Sequence, residues 1–360
     1  MESLPYIHPD LTIDESPTKG RLVKATSAIK RGELVLKDGP YAVVPALLID
    51  EPPFLLCNRQ GCSRRIPREY AHTSPHRLHR CPDRCLAEVV WCEEQCRSKD
   101  TQRHQFECLW LKKTSREIRS SYGDTEFVLL WLIIRMLINR HLKEEAGSKA
   151  QTSPPNGTSI EPEVKGFDTS ECPKQQSVQW QGSHFSRRGW DSVWNLEGDP
   201  SFFSPDKVKH WHTMTSNYIC NGILPLKYPV DEIVDVICKI ELNSFGLYPG
   251  VTGQYPVIST QGRGDYYGGG IYPTAAMFNH SCCPNVTHEL DDFGRRHFRA
   301  GRDIEIGEEC CISYFDLAEY PGSTARREAI KTSWNFACDC RRCEEDMEVP
   351  GFLQALNLDI

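Results

Sequence analysis

Apolar residues at Phe127, Leu130, Trp131, Ile134, Leu137, Ile138 and Leu142 recur three and four positions apart, which predicts a helix from about Thr125 to Lys143. They occupy more than one side of that helix, so it is expected to be buried among other elements. The same run, "FVLLWLIIRMLIN", is interrupted by Arg135 and is too short to span a bilayer, so no membrane span is expected. Before it, "GRLVKATSAIKRGELVLKDGPYAVVP" is rich in Val, Leu and Ile and punctuated by Gly and Pro, the pattern of short strands and turns. After it, regular patterning resumes at "WDSVWNLEGDP" and continues as helix-like sequence to Lys239. Gly-rich turns and a β-like run, "EECCISYFD", follow. "THELDDFGRRHF" reads as a β-hairpin with His288 and His297 on its surface.

Two stretches lack this patterning. Residues from about 145 to 189 are rich in Ser, Pro, Gly, Gln and Lys, the composition of a disordered loop. From Cys57 to Cys108 the chain is dense in Cys, His and Arg with few large aliphatics, and such a stretch builds no core without metal.

With 360 residues and 39% apolar content, the chain can bury one large core or two modest ones. A formal charge of −7 makes nucleic acid an unlikely main partner, because gripping phosphates needs clustered Lys and Arg. Between Arg59 and Arg119, 14 Lys and Arg stand against 8 Asp and Glu, but zinc-bound thiolates there would reduce the excess to a mildly basic surface. The opening "MESLPYIHPD" lacks the basic region and apolar stretch of a signal peptide, so a reducing compartment is expected. The odd total of 17 cysteines then argues for metal ligation, with zinc as the expected ion.

The ligand count supports this. Cys57 and Cys62, Cys81 and Cys85, Cys92 and Cys96, and His104 and Cys108 make four pairs, the eight ligands that two tetrahedral zinc sites need. Interleaved binding is expected, with Cys57, Cys62, Cys92 and Cys96 on one ion and Cys81, Cys85, His104 and Cys108 on the other. His72, His76 and His79 are read as solvated loop histidines. Near the other end, Cys338, Cys340 and Cys343 supply three thiolates and need a fourth. In "FNHSCCPNV", Cys282 or Cys283 can supply it, pinning the tail onto the turn that carries Asn279 and His280, while its neighbour packs into the core. Each of the three ions is then fully ligated, which argues against zinc-dependent hydrolysis.

"VVWCEEQCRSKDTQRHQFEC" resembles a MYND zinc finger, with wider spacing in its first two pairs than is usual. "GGGIYPTAAMFNHSCCPN", "GEECCISYFD" and "WNFACDCRRC" resemble the closing motifs of a SET domain and its post-SET segment. With the finger placed after "KGRLVKATSAIKRGELVL", the chain resembles the SET-and-MYND (SMYD-like) protein lysine methyltransferases over most of residues 18 to 345. It resembles a short fungal-type form without the long C-terminal helical repeat domain. The resemblance implies a β-rich α+β SET fold, knotted at its Asn-His segment. It divides the chain into an N-terminal SET part (1–50), a finger (51–112), a helical insert (113–240), a C-terminal SET core (241–323) and a post-SET segment (324–360).

The resemblance also implies roles. S-adenosylmethionine would be held by Gly20, Arg21, Asn243, Asn279, His280, Tyr314 and Phe336, with Tyr314 as the catalytic tyrosine. Phe245 and Trp334 would line the substrate channel, and Cys282 would be the fourth zinc ligand. Trp334 stands where the family has a tyrosine, so one hydroxyl is lost from the channel. The implied activity is methyl transfer to a lysine of a protein substrate, in the nucleus or the cytoplasm. The alternative is a SET scaffold without strong catalysis, whose finger docks proline-containing peptides.

Overall fold

The computed structural model describes residues 6–47, 50–69, 78–151, 189–257 and 262–348. The predicted β-rich opening is present. Strand Leu11–Ser16 pairs antiparallel with Gly20–Ala25, and Gly20 takes a positive φ of 67° at the turn between them. A four-stranded sheet joins Tyr6–Ile7, Leu34–Asp38, Arg296–Ala300 and Val286–Leu290, in that order. A second sheet places Gly268–Ile271 between Ser244–Leu247 and Ala42–Pro45. Its central strand is glycine for a reason: a Cβ at Gly268 would lie 2.6 Å from the Val44 carbonyl oxygen.

Side-chain alternation decides what these sheets bury. Along the hairpin, Val286, His288 and Leu290 point inward on one strand, and Arg296, Phe298 and Ala300 do so on its partner. His288 is therefore buried rather than on the surface as expected. The strand period that carries Val286 and Leu290 into the core carries it too.

Seven α-helices are described. Helix α1 (Glu94–Tyr122) and α2 (Asp124–Gln151) pack as a pair; α3 (Trp190–Trp194), α4 (Pro205–Tyr218) and α5 (Val230–Asn243) complete the helical region; α6 (Ser323–Trp334) and α7 (Arg341–Glu348) form the tail. Helix α2 matches the predicted helix but runs further, through the first seven residues of the expected disordered loop. Residues 152–188 of that loop lie outside the described residues, as do His72 and His76. Helix α1 was not foreseen. Its sequence is dominated by ligands and charges, and its inward face carries Cys96, His104 and Cys108 beside Trp110, Leu111 and Ile118. It runs through residue 112, so the finger and the helical region share one helix.

Apolar side chains gather into one core under the helices and finger and a second inside the sheets. A small third cluster joins Cys282, Phe315 and Leu317 to Ile330, Cys338 and Cys343 of the tail. Among the described residues, no helix is long and apolar enough to cross a membrane.

Candidate active site and metal centres

Three groups of four ligands stand close enough to hold a metal ion: Cys57, Cys62, Cys92 and Cys96; Cys81, Cys85, His104 and Cys108; Cys282, Cys338, Cys340 and Cys343. Within each group all ligand atoms lie within 4.8 Å of one another. Sulfurs about 2.3 Å from a central zinc would be about 3.8 Å apart along a tetrahedral edge. Cys62 and Cys92 are 3.8 Å apart, Cys81 and Cys108 3.7 Å, and Cys282 and Cys338 3.9 Å. A disulfide would need about 2.05 Å. The donor sets therefore fit zinc.

Helix α1 explains two of these sites. Cys92 and Cys96 straddle its start, while His104 and Cys108 sit one turn apart further along and project to the same side. His104 presents Nε2 to Cys81 at 3.3 Å, and its Nδ1 meets Glu107 at 3.0 Å. A carboxylate on the far nitrogen is the usual way to fix a ligating imidazole. Burial alone would push Glu107 up, but Arg103 and Arg135 outweigh it and hold the carboxyl well below the ordinary carboxylate range. Arg135, the residue that interrupts the apolar run of α2, also donates to the Val43 carbonyl and to Asn58. Glu107 and Arg135 thus tie the second metal group to the first SET strands.

At the third group, Cys282 is fully buried among the tail cysteines, whereas Cys283 is half-buried with Sγ 3.5 Å from Ser281 Oγ. Cys282 is the residue that joins the tail thiols as a group of four, while its neighbour stays half-buried beside Cys340 instead of packing into the core as expected.

The same stretch of chain positions the candidate active site. Strand Asn279–His280 runs parallel to Cys311–Ile312, which brings Asn279, His280 and Tyr314 together. Asn279 donates through Nδ2 to the Arg21 carbonyl at 2.8 Å and to Glu309 at 2.9 Å, so the Gly20–Arg21 segment adjoins it. Glu309 went unnoticed in the sequence. The His280 ring is spanned by two partners: Nδ1 accepts the Tyr314 backbone N–H at 3.1 Å, and Nε2 lies 3.3 Å from Cys282 Sγ. Burial pushes this imidazole down to about 4, so it is neutral and suited to accept. Phe336 stands 6.2 Å from His280 and 6.5 Å from Tyr314, ring to ring.

Tyr314 donates its hydroxyl to the Phe278 carbonyl at 3.0 Å. Burial pushes its pKa above the ordinary phenol value, with Cys311 and Glu309 adding to the effect, so it stays protonated. With its hydrogen committed, its oxygen keeps lone pairs to accept from another donor. Trp334 lies beside it, with ring centroids 5.2 Å apart. Helix α6 ends at Trp334, and Asn335 in the left-handed conformation (φ 56°) turns the chain toward Phe336.

Tyr314 and Trp334 line a cavity of about 190 Å³ together with Asn243, Phe245, Tyr248 and Ala276. Three further lining residues, Arg263, His288 and Arg296, were not foreseen as site residues. Asn243 sits at the end of α5, its Nδ2 donating to the carbonyls of Glu197 and Lys239. Gly20, Arg21, Asn279 and Phe336 are absent from the cavity lining. The predicted residues therefore fall into two groups, with Tyr314 contacting both.

The SET domain profile matches residues 20–315. The N-lysine methyltransferase SMYD2-B of Xenopus laevis is 25% identical over 346 residues, covering 96% of this chain and 63% of that protein. The histone-lysine N-methyltransferase SMYD3 of Mus musculus is 24% identical over 328 residues, 91% of this chain and 59% of that one. A SET and MYND domain-containing protein of Dictyostelium discoideum is 24% identical over 352 residues, 93% and 60%. The chain thus spans about three fifths of the length of these relatives. Among solved structures, the SET domain of LSMT bound to lysine and AdoHcy aligns over 91% of this chain and 53% of that one, with 10% identity and a TM-score of 0.35. With a SET profile over most of its length, and cysteine groups of finger and tail spacing on either side of the Asn279–His280 segment, the chain belongs to the SET-domain family, in its SET-and-MYND branch.

Proposed function

We propose that the protein transfers a methyl group from S-adenosylmethionine to the ε-amine of a lysine in a protein substrate. The observation that carries this reading is the position of Tyr314, which touches the Asn279–His280 segment on one side and the cavity holding Phe245 and Trp334 on the other. A donor bound beside Asn279 and an acceptor in the cavity would meet at this tyrosine. The relatives' names, N-lysine and histone-lysine methyltransferase, support the same reaction class.

S-adenosylmethionine, when bound, supplies a methyl carbon on a sulfonium. The protein's task is alignment: an in-line displacement needs a neutral amine, a narrow path and exclusion of water more than it needs a general base. Asn279, Arg21 and Asn243 are assigned to the cofactor, with the backbone of Gly20 at the turn and Phe336 beside the ring system. His280 holds Tyr314 through its backbone N–H. The Tyr314 oxygen accepts from the amine N–H and directs the nitrogen lone pair. Phe245 and Trp334 confine the aliphatic stem.

Three zinc ions would close the finger and the tail as structural staples, with no open position for catalysis. The finger is the assigned docking surface for proline-containing partner peptides, and either nucleus or cytoplasm suits the assignment. Calorimetric titration of zinc-replete protein with S-adenosylmethionine tests the reading, with Asn279→Ala as control. Micromolar binding abolished by the substitution is expected. Absence of binding in protein that holds its zinc would overturn the enzyme reading and leave the finger as the functional surface.

A further inference from the structure

The cavity beside Tyr314 carries an unusual charge. Its lining includes two guanidinium groups, Arg263 and Arg296, and no Asp or Glu. Arg296 is only 2% exposed. It is packed over the rings of Phe245 and Tyr272, with Cζ 4.6 and 4.8 Å from their centroids. It donates to His288 Nδ1 at 3.0 Å and to the Gly246 carbonyl at 2.5 Å, both neutral acceptors. Its Nε–H is buried without a partner, and so is that of Arg263, whose guanidinium stacks on Tyr248 at 3.7 Å. Burial, reinforced by Arg296 and Arg263, pushes His288 well below its ordinary value, so this ring adds no third charge and serves as an acceptor.

Arg296 is buried and Arg263 half-buried, and a guanidinium withdrawn from water normally sits against a carboxylate or phosphate, because leaving it without one forfeits the strongest interaction open to it. Among the described residues neither Arg263 nor Arg296 has such a side-chain partner, and both face one cavity. A protonated lysine entering alone would meet two like charges. An acceptor that brings its own carboxylate would neutralise them.

We propose that Arg263 and Arg296 form a carboxylate-binding subsite on the acceptor side of Tyr314, which selects a lysine accompanied by a carboxylate of the same substrate. This deepens the methyltransferase reading and rests on it. The carboxylate can be an Asp or Glu side chain next to the lysine or the terminal carboxylate of a chain ending in lysine. Arg21 and Asn279 lie outside this cavity but Asn243, also assigned to the cofactor, lines it, so the cofactor's own carboxylate is the competing source that the test separates.

The test uses binding, so it does not depend on turnover. Peptides that carry norleucine in place of the target lysine are titrated calorimetrically into zinc-replete protein in the presence of S-adenosylhomocysteine. One set has Glu or Gln beside the norleucine; a second ends in norleucine as free acid or amide. At least tenfold tighter binding of one acidic member over its neutral twin is expected, and which set shows it identifies the source. Arg263→Met should reduce that preference to below about twofold, and Arg296→Lys, which keeps the buried charge, should retain part of it. Equal binding of acidic and neutral peptides by the wild type, or a preference that survives Arg263→Met and Arg296→Met in variants with native-like melting, would overturn the subsite. A loss of S-adenosylmethionine affinity in Arg263→Met, with no change in peptide preference, would assign the cations to the cofactor and likewise overturn it. Failure of the methyltransferase reading appears separately, as absent cofactor binding by the wild type.

Discussion

Arg135 donates through Nε to Glu107 at 2.5 Å, joining α2 to α1 where neither side chain reaches solvent. Glu107 also accepts from Trp131 Nε1 at 2.6 Å and meets the ligand His104 at 3.0 Å. Removing one member of a buried pair costs about 3–5 kcal/mol when the other charge is left uncompensated, and less here because Arg103 also meets Glu107 at 3.0 Å. Arg135→Met should therefore lower the unfolding free energy by about 1.5–3 kcal/mol in urea melts, the scale of losing a hydrogen bond to a buried charged group. Glu107→Gln should in addition weaken zinc retention at the second metal group by about 10- to 100-fold, read by competition with a chromogenic chelator. A change below about 1 kcal/mol in Arg135→Met would show that this link between finger and SET strands contributes little.

The metal groups separate two adjacent cysteines. Cys282 lies 3.9 Å from Cys338 and 3.5 Å from Cys343, sulfur to sulfur, while Cys283 lies against Ser281 Oγ. Metal analysis should find three zinc ions per chain in the wild type and in Cys283→Ser, and fewer in Cys282→Ser. The loss should also reach the cofactor site, because the tail that Cys282 anchors carries Trp334 and Phe336. Chelation of the wild type is accordingly expected to abolish S-adenosylmethionine binding, and zinc repletion to restore it. An unchanged zinc count in Cys282→Ser would refute the assignment.

The ligand sets were legible because metal binding imposes short, countable spacings: four pairs in the finger region and an incomplete trio in the tail marked eleven ligands, while the spacing left the twelfth open between Cys282 and Cys283 and the family resemblance pointed to Cys282. Helix α2 was legible from its three-and-four spacing. Helix α1 was not, since its face is built from ligands and charges and carries little apolar periodicity. The buried guanidiniums were hidden for a related reason. Arg135 stood out as an interruption in an apolar run, but only the fold shows that Glu107 answers it. Arg296 and His288 occupy the inward positions of their strands, in step with Phe298 and Leu290. That alternation was readable in "VTHEL" and "RHFRA", yet the polar types suggested surface. What a sequence cannot supply is the third dimension of the cavity, where residues 50 positions apart share one wall.

Tyr314 donates to the Phe278 carbonyl at 3.0 Å, which fixes its oxygen at the junction of the two residue groups. Tyr314→Phe removes that oxygen and keeps the ring. Turnover on a methylatable peptide should fall by about 100-fold or more, the scale of losing one preorganised polar contact to the transition state. The dissociation constant for S-adenosylmethionine should change by less than about threefold, since such an effect on turnover is a transition-state loss and not a binding loss. Loss of cofactor binding in this variant would instead make the tyrosine a structural element of the site.

Trp334 stands 5.2 Å from Tyr314 and lines the same cavity, so under the proposed reaction its bulk would occupy space that a multiply methylated amine needs. An indole N–H donates only, and cannot accept from the amine as a phenol oxygen would. Two consequences separate by substitution. Trp334→Tyr restores an acceptor oxygen near the amine, and should raise turnover on an unmodified lysine. Trp334→Ala removes bulk without restoring the oxygen, and should slow the first transfer while allowing second and third methyl groups to accumulate. Mass spectrometry of a peptide product over time distinguishes them: the wild type should stop at one methyl group, and Trp334→Ala should proceed beyond it. If the wild type already yields the trimethylated product, the tryptophan does not limit the space at the acceptor nitrogen, and the cavity wall that does so must be sought at Phe245 and Ala276.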